Sequence, residues 1–346
     1  MKKILITGNL GYIGPVLISN LKKEKDFNVL GFDIGWFEHC CIENIIPNKP
    51  SIQIYKDIRD ISDDDIKDIY GVVHLCAVSN DPMGKEFESA TYSINLDASI
   101  KLAKMCANNG VKKFVFASSC SVYGAGGINA KNENDEVNPL TAYAKSKINF
   151  ENELININKN KEMTVTALRF STACGPSPRI RLDLVLNDFV ASAIVNNRID
   201  ILSDGSPLRP LIDVEDMSKA ILWALKREPN NDNTLIVNVG KNSNNLTVLD
   251  MANLVKDALP NISINVNKDA EVDKRSYAVD FSKFKEMSGP YYSSYNINDS
   301  IIRLIDQLKP LKEQLNDFRE SKFIRHNTLR VLKSKKIIDQ ELKVND

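Results

Sequence analysis

The chain has 346 residues, 43% of them hydrophobic, and its 45 lysines and arginines balance 45 aspartates and glutamates. That length and apolar content are enough to bury the core of one or two domains, and a net charge of zero argues against nucleic acid as the main partner. No apolar run reaches membrane-spanning length, so no membrane partner is expected.

Ile4-Leu5-Ile6 reads as a buried strand that breaks into Thr7-Gly8-Asn9-Leu10-Gly11-Tyr12-Ile13-Gly14, and Val16 to Leu21 then reads as an amphipathic helix. A strand, a glycine-rich turn and a helix start form the opening of a dinucleotide-binding βαβ unit. Gly8 allows the tight turn, Gly11 lets backbone approach a pyrophosphate, and Gly14 lets the helix pack close to the strand. The freed N–H groups and the helix dipole face the anion, so residues 8–14 are candidate cofactor contacts. Pro15, in the first helical turn, costs little there. Asp33 ends the next apolar run, Val29–Phe32, near the spacing at which a carboxylate accepts both ribose hydroxyls and repels a 2′-phosphate. NAD is therefore favoured over NADP; the alternative for Asp33 is a solvated strand end.

The first half alternates strands and helices, the α/β pattern of a doubly wound parallel sheet covered on both faces. Ile52–Tyr55 is the third strand, followed by the polar stretch Asp57-Ile58-Arg59-Asp60. Gly71–Ala77 is a strand whose small-residue end, Leu75-Cys76-Ala77, lets a cofactor lie against it, and His74 reads as a packed structural histidine. Turn residues make Val78–Gly84 a loop at the carboxyl edge of the sheet, where ligands bind in such folds. Ser79 and Asn80 are candidate substrate contacts there, with a simple turn as the alternative. One long helix is expected from about 85 to 109, with Asn95 inside it against its propensity.

Phe114–Gly124 is a buried strand running into a polar end, and Tyr143-Ala144-Lys145-Ser146-Lys147 opens a second long helix capped near Thr141. A tyrosine and a lysine four apart share a helical face. A phenol with its pKa near 10 is a poor base at neutral pH, and a nearby ammonium lowers that pKa, making Tyr143 a usable acid/base. Lys147 can also hold the nicotinamide ribose, and Ser119 can bind the same substrate oxygen as Tyr143. The alternative is a surface tyrosine and a surface lysine.

With TGxxGxxG, Asp33, SSxxVYG and YxxxK in this order, the chain resembles an extended short-chain dehydrogenase/reductase of the nucleotide-sugar epimerase/dehydratase group, over residues 1 to about 306. The resemblance implies a Rossmann-type NAD-binding domain over 1–170, with a returning segment near 205–240, and a smaller α/β substrate lobe over 171–306. It implies Ser119, Tyr143 and Lys147 as the catalytic triad, with Asn95 holding the lysine through water. Asp57 and Ile58 are implied adenine contacts, or else a polar loop. Thr172 stands where members usually place an asparagine that contacts the sugar-nucleotide. Arg209 and Arg275 fall in segments whose arginines pair with the nucleotide's phosphates, where the two would form a bidentate clamp, with surface salt bridges as the alternative. Arg181 and Asn187, at the start of a further helix, suit a diphosphate, with a solvated helix start as the alternative.

Cys120-Ser121 stands where 4,6-dehydratases carry Asp-Glu, which disfavours dehydration, and Ser121 occupies the place of the cysteine used by GDP-fucose synthases. Cys120 is read as packing, and Ser121 as a substrate contact. The implied activity is an NAD-dependent nucleotide-sugar epimerase that inverts C4 through a transient 4-keto intermediate. A 4-dehydrogenase or 4-ketoreductase, a 4,6-dehydratase and a cofactor-sensing scaffold are the alternatives. Family likeness also implies a homodimer paired through helices 86–108 and 143–160. Six cysteines without CxxC or Cys/His spacing indicate no metal and a reduced, cytoplasmic setting, and the N-terminal apolar run is too short for a signal peptide. Residues 307–346 carry helical stripes such as Leu311, Leu315 and Phe318 and read as a helical extension without chemistry.

Overall fold

Buried runs of valine, isoleucine, leucine and phenylalanine need cover on both faces, and here they line up as one parallel sheet between two layers of helices. The structure, a computed structural model, describes residues 1–346 except 43, 44, 46, 160, 230–232, 271–275 and 346. The chain opens with β1 (Lys2–Thr7), α1 (Gly14–Lys23), β2 (Phe27–Asp33), β3 (Ile52–Tyr55) and β4 (Gly71–His74). Next come α2 (Asp81–Glu86), α3 (Glu88–Tyr92), α4 (Ala98–Asn108), β5 (Lys113–Ser119), β6 (Gly127–Lys131) and α5 (Ala142–Asn158). The middle holds β7 (Thr164–Phe170), β8 (Thr172–Cys174), α6 (Val185–Asn196), β9 (Arg198–Ile201), β10 (Leu208–Asp213), α7 (Val214–Lys226) and β11 (Thr234–Val239). The last third adds β12 (Asn245–Thr247), α8 (Val248–Ala258), β13 (Ser263–Val266), β14 (Tyr277–Val279), α9 (Ser282–Ser288), α10 (Ile297–Leu308) and α11 (Arg325–Ser334).

The sheet order is β3-β2-β1-β4-β5-β7-β11, with every neighbouring pair parallel. The order reverses between β1 and β4, which opens a crevice beyond the carboxyl ends of the strands. One apolar layer joins Leu5, Val72 and Phe114 to α3, α4 and α5, and the other joins Ile4, Val73 and Val115 to α1 and α7. A further core, built from α6, α8 and α10 through Leu186, Val190, Met251 and Ile301, packs beside the sheet.

Residues 85–109 are not one helix. Asn80 accepts the Met83 N–H and caps α2, so the second half of the expected loop is helical. Phe87, at φ −120°, separates α2 from α3, and Ser93–Asp97 makes a π turn before α4. His74 is held between Thr7 and Ser99 at 2.7 and 2.8 Å, and burial drops its pKa to about 3, so it is a neutral packing group.

Helix α5 is fastened by a buried ion pair. Glu151 accepts three bonds from Arg169 of β7, at 2.7 to 3.1 Å, and one from Ser118 of β5. Arg169 also donates to the Tyr123 hydroxyl at 2.9 Å. Replacing Glu151 with alanine leaves a buried guanidinium without its counter-charge. The expected loss is about 3–5 kcal/mol in urea unfolding, and a loss below about 1 kcal/mol would show that the pair does not fasten the helix.

Candidate active site

A cavity of about 1210 Å³ occupies the crevice, larger than the ~300–1000 Å³ usual for one small ligand. Gly8 lies at φ +77°, and a Cβ there would fall 2.6 Å from the Cys76 nitrogen, so only glycine fits. A Cβ on Gly11 would meet only the Gly8 carbonyl at 3.3 Å, so the room beyond it belongs to the cavity. A Cβ on Gly14 would fall 1.9 Å from the Asn9 carbonyl, so the helix start closes on the turn rather than on the strand.

Gly8, Gly11, Tyr12 and Ile13 line the cavity, but Asn9, Leu10 and Gly14 do not. Asn9 is buried beneath the turn and donates to Gln53 at 2.7 Å, while the Leu10 N–H is taken by Asp33 at 3.0 Å. Asp33 lies on the wall, its second oxygen accepting the Gly35 N–H, and burial raises its pKa against those two bonds. Asp57 and Ile58 line the same end, the Asp57 carboxylate gripped by Arg59 at 2.5 to 3.0 Å, and Leu75, Cys76 and Ala77 border it. No side chain caps the start of α1, and Pro15 brings no N–H to it. These features fit NAD, with the Gly8–Ile13 turn placed for the pyrophosphate and Asp33 for a ribose.

Thr141 caps α5 by accepting the Ala144 N–H at 3.2 Å, and this sets Tyr143 and Lys147 on the cavity wall facing the end of β5. The Ser119 hydroxyl shares the wall with Tyr143, favours its anion, and accepts the Ser121 N–H at 3.1 Å. The Lys147 ammonium donates to the Ala117 carbonyl at 2.8 Å and lies 5.5 Å from the centre of the Tyr143 ring.

The expected lowering of the phenol's pKa is not what the structure gives. Burial pushes Tyr143 up to about 12, and the Ser119 hydroxyl and the Arg181 guanidinium only partly oppose it. The ammonium is itself desolvated, which lowers Lys147 to about 8, and its proton is directed at Ala117 rather than at the phenol oxygen.

Ser79, Asn80, Ser121, Thr172, Arg181 and Arg209 all line the cavity. Arg181, on the cavity wall, donates twice to Asp183 at 2.7 and 3.0 Å and once to Ser79 at 2.9 Å, and its charge favours the Tyr143 anion. Asn187 is corrected to a structural role, because its amide bridges the Gly175 N–H and the Arg181 carbonyl in the interior. The buried Asn95 side chain spans the Val78 N–H and carbonyl and reaches Ser146, which holds the strand exit against α5. Arg275 lies outside the described residues. The structure adds wall residues that sequence reasoning passed over: Trp36, Phe37, Tyr277, Arg319 and Arg325. Tyr277 follows Arg275 by two residues in the chain, and Arg319 and Arg325 belong to the C-terminal extension.

Lys147 supplies a stability test. Its folded pKa is depressed to about 8 from 10.5, so between those values the unfolded chain binds more protons and stability rises with pH. The wild-type protein is expected to gain roughly 3 kcal/mol from pH 8 to 10.5 relative to Lys147→Met, read by denaturant unfolding of cofactor-free protein. Parallel pH profiles for the two would show that the ammonium is not desolvated.

The profile of the NAD dependent epimerase/dehydratase family matches residues 4–240. The uncharacterized UDP-glucose epimerase YtcB of Bacillus subtilis (strain 168) is 28% identical over 267 residues, covering 74% of this chain and 81% of the relative. MoeE5 in complex with UDP-glucuronic acid and NAD superposes with a TM-score of 0.76 at 24% identity, over 89% of this chain and 99% of that one. TunA, an NAD dependent NDP-hexosamine 5,6-dehydratase involved in tunicamycin biosynthesis, superposes with a TM-score of 0.76 at 21% identity, over 88% and 96%. At those identities the two solved structures establish a shared fold. The match over most of the chain, joined to the glycine turn, Asp33 and the Ser119–Tyr143–Lys147 cluster, makes this chain a member of the NAD dependent epimerase/dehydratase family.

Proposed function

We propose that the enzyme inverts C4 of a nucleotide-linked sugar through a transient 4-keto form. The observation that carries this reading is the gathering of Ser119, Tyr143 and Lys147 on the wall of the same cavity that holds Asp33 and Arg209. When bound, NAD supplies a ring carbon that accepts a hydride and gives it back. Tyr143 takes the proton of the C4 hydroxyl and later returns it, and Ser119 holds the same sugar oxygen. The phenolate this needs is opposed by burial and favoured by the Ser119 hydroxyl and by Arg181. Lys147 anchors the ring from beneath and stands where a ribose hydroxyl of the cofactor would meet its ammonium. Because the hydride leaves C4 and returns to its other face, no external redox partner is consumed. A cavity of about 1210 Å³ supports the turn of the keto sugar that this requires.

Arg209, whose guanidinium lies 5.8 Å from the Tyr277 ring centre, is assigned to the diphosphate, and the same role is proposed for Arg275 from its sequence segment alone. Dehydration is disfavoured. The Cys120 thiol is buried, donates to the Arg169 carbonyl and has its pKa pushed up, and two of the cavity's carboxylates, Asp183 and Asp188, are each paired with an arginine. The Ser121 hydroxyl, shielded and without a partner among the described residues, fits a sugar hydroxyl. A 4-dehydrogenase or 4-ketoreductase would use the same groups and differ in product. Pairing of two copies through α4 and α5 belongs to the same reading, as does a reduced, cytoplasmic setting, with six free thiols. Among the described residues no helix is long and apolar enough to cross a membrane.

Purified enzyme incubated in turn with UDP-glucose, UDP-glucuronic acid and dTDP-glucose is expected to give a C4 epimer by NMR without accumulating NADH. Persistent NADH or a released 4-keto product from every substrate turned over would contradict epimerisation. Tyr143→Phe is expected to cut turnover by roughly 10²–10⁴-fold while NAD stays bound. Arg209→Ala is expected to raise KM by roughly 10–100-fold with kcat little changed, the pattern of a lost charge-assisted contact to the diphosphate.

A further inference from the structure

The C-terminal extension is built into the cofactor end of the cavity. Its apolar stripe is consumed in folding: Leu329, Ile338 and Leu342 are at most 1% exposed and join the core that holds Phe32 and Ile58. From there the extension grips both segments that wall the Asp33 end. Thr328 contacts the buried Cys40 thiol at 3.6 Å, and the Arg325 guanidinium lies 5.4 Å from the Phe37 ring centre, which pins the stretch after Asp33. Arg59 donates to the Glu341 and Leu342 carbonyls at 2.7 and 2.8 Å with the same guanidinium that holds Asp57. Asp57 is thereby fixed on the wall by a residue anchored on the chain's last turn.

The other side of the extension is tied to the substrate half. Arg325 donates to the Arg179 and Ile180 carbonyls, Phe323 accepts the Leu182 N–H at 3.0 Å, and Arg319 is paired with Asp188. Glu86 completes the seam by accepting from His326 and Arg330 at 2.7 to 2.9 Å. Residues 319–342 thus cross from one half to the other over the end of the cavity. One polar atom at that end is left over. The Trp36 indole nitrogen is shielded from solvent, has no hydrogen-bond partner among the described residues, and belongs to a side chain on the cavity wall. A buried donor without a partner bears an unrecovered desolvation cost, which an acceptor on a ligand would offset.

We propose that residues 319–342 form a strap that completes the adenosine end of the NAD site, with the Trp36 indole N–H donating to the cofactor, so that strap docking and cofactor retention are coupled. Coupling of this kind is reciprocal: the docked strap tightens NAD by the same factor by which NAD tightens the strap. The inference rests on NAD being the resident cofactor of the proposed epimerisation, since an enzyme that regenerates its cofactor in place gains from never releasing it.

The test reads cofactor and strap, not turnover. Leu342→Asp removes the buried anchor beside Arg59, and a chain ending at Ser334 removes it together with Ile338. Both variants, loaded with NAD and desalted, are expected to lose NAD at least tenfold faster than the full chain. Trp36→Phe, which keeps the ring bulk and deletes the N–H, is expected to weaken NAD binding about fivefold to tenfold. In the wild-type protein, saturating NAD is expected to slow proteolysis within 319–342 by a similar factor, and this readout stands even if a variant fails to fold. Unchanged NAD retention with a strap shown by proteolysis to be released, or strap cleavage in the wild type indifferent to NAD, overturns the proposal. An unchanged NAD affinity for Trp36→Phe overturns the indole contact. If NAD retention depends on the strap but no C4 inversion is found with any sugar, the epimerase reading falls and the strap stands.

Discussion

The bond from the Lys147 ammonium to the Ala117 carbonyl joins the first turns of α5 to the end of β5, and the site depends on that junction. Tyr143 and Ser119 approach each other only because helix and strand are held at this spacing. One turn further along α5, Glu151 repeats the fastening against Ser118 and Arg169, drawing in β7. A lone buried lysine would be costly to keep charged, and its pKa of about 8 measures that cost. Two groups oppose it, the Cys76 sulfur and the Glu151 carboxylate, so the ion pair behind the site also bears on the charge within it. Stability and chemistry therefore share one set of contacts.

The same burial sets the poise of the acid/base group. In the protein alone, desolvation of Tyr143 outweighs the stabilisation that Ser119 and Arg181 give its anion. Arg181 reaches the phenol only because Asp183 and Ser79 orient it, with Asn187 fixing the loop below. The residues that tune the site thus come from both halves of the molecule, and the strap across 319–342 bears on the geometry of each.

Sequence reasoning succeeded where the signal is local. The glycine turn, Asp33 at the strand end and the Tyr143–Lys147 spacing each follow from a few consecutive residues and a fixed helical or strand period, and all reach the cavity, apart from Asn9, Leu10 and Gly14. It failed where the outcome depends on what packs against what. Asn95 was a polar residue inside a helical pattern, and nothing in the string shows that Val78's backbone would claim its amide. Asn187 reads as an anion ligand in the string, and only folding shows its amide committed to Gly175 and Arg181 in the interior. The break at Phe87 and the π turn at Asn95 have no glycine or proline to announce them. The pKa of Tyr143 went the other way because proximity of a lysine can be read from spacing and desolvation cannot. The extension was read as inert because its arginines are scattered among apolar stripes, and only folding gathers them at the cavity.

The proposed reaction combines a proton handled by Tyr143 with a hydride that never leaves the cavity. The fate of deuterium placed at C4 of a nucleotide-sugar that the enzyme turns over tests it most directly. The account predicts an epimer that keeps the label at C4, with none released to solvent. Loss of the label to water, or its recovery in free NADH, would contradict it.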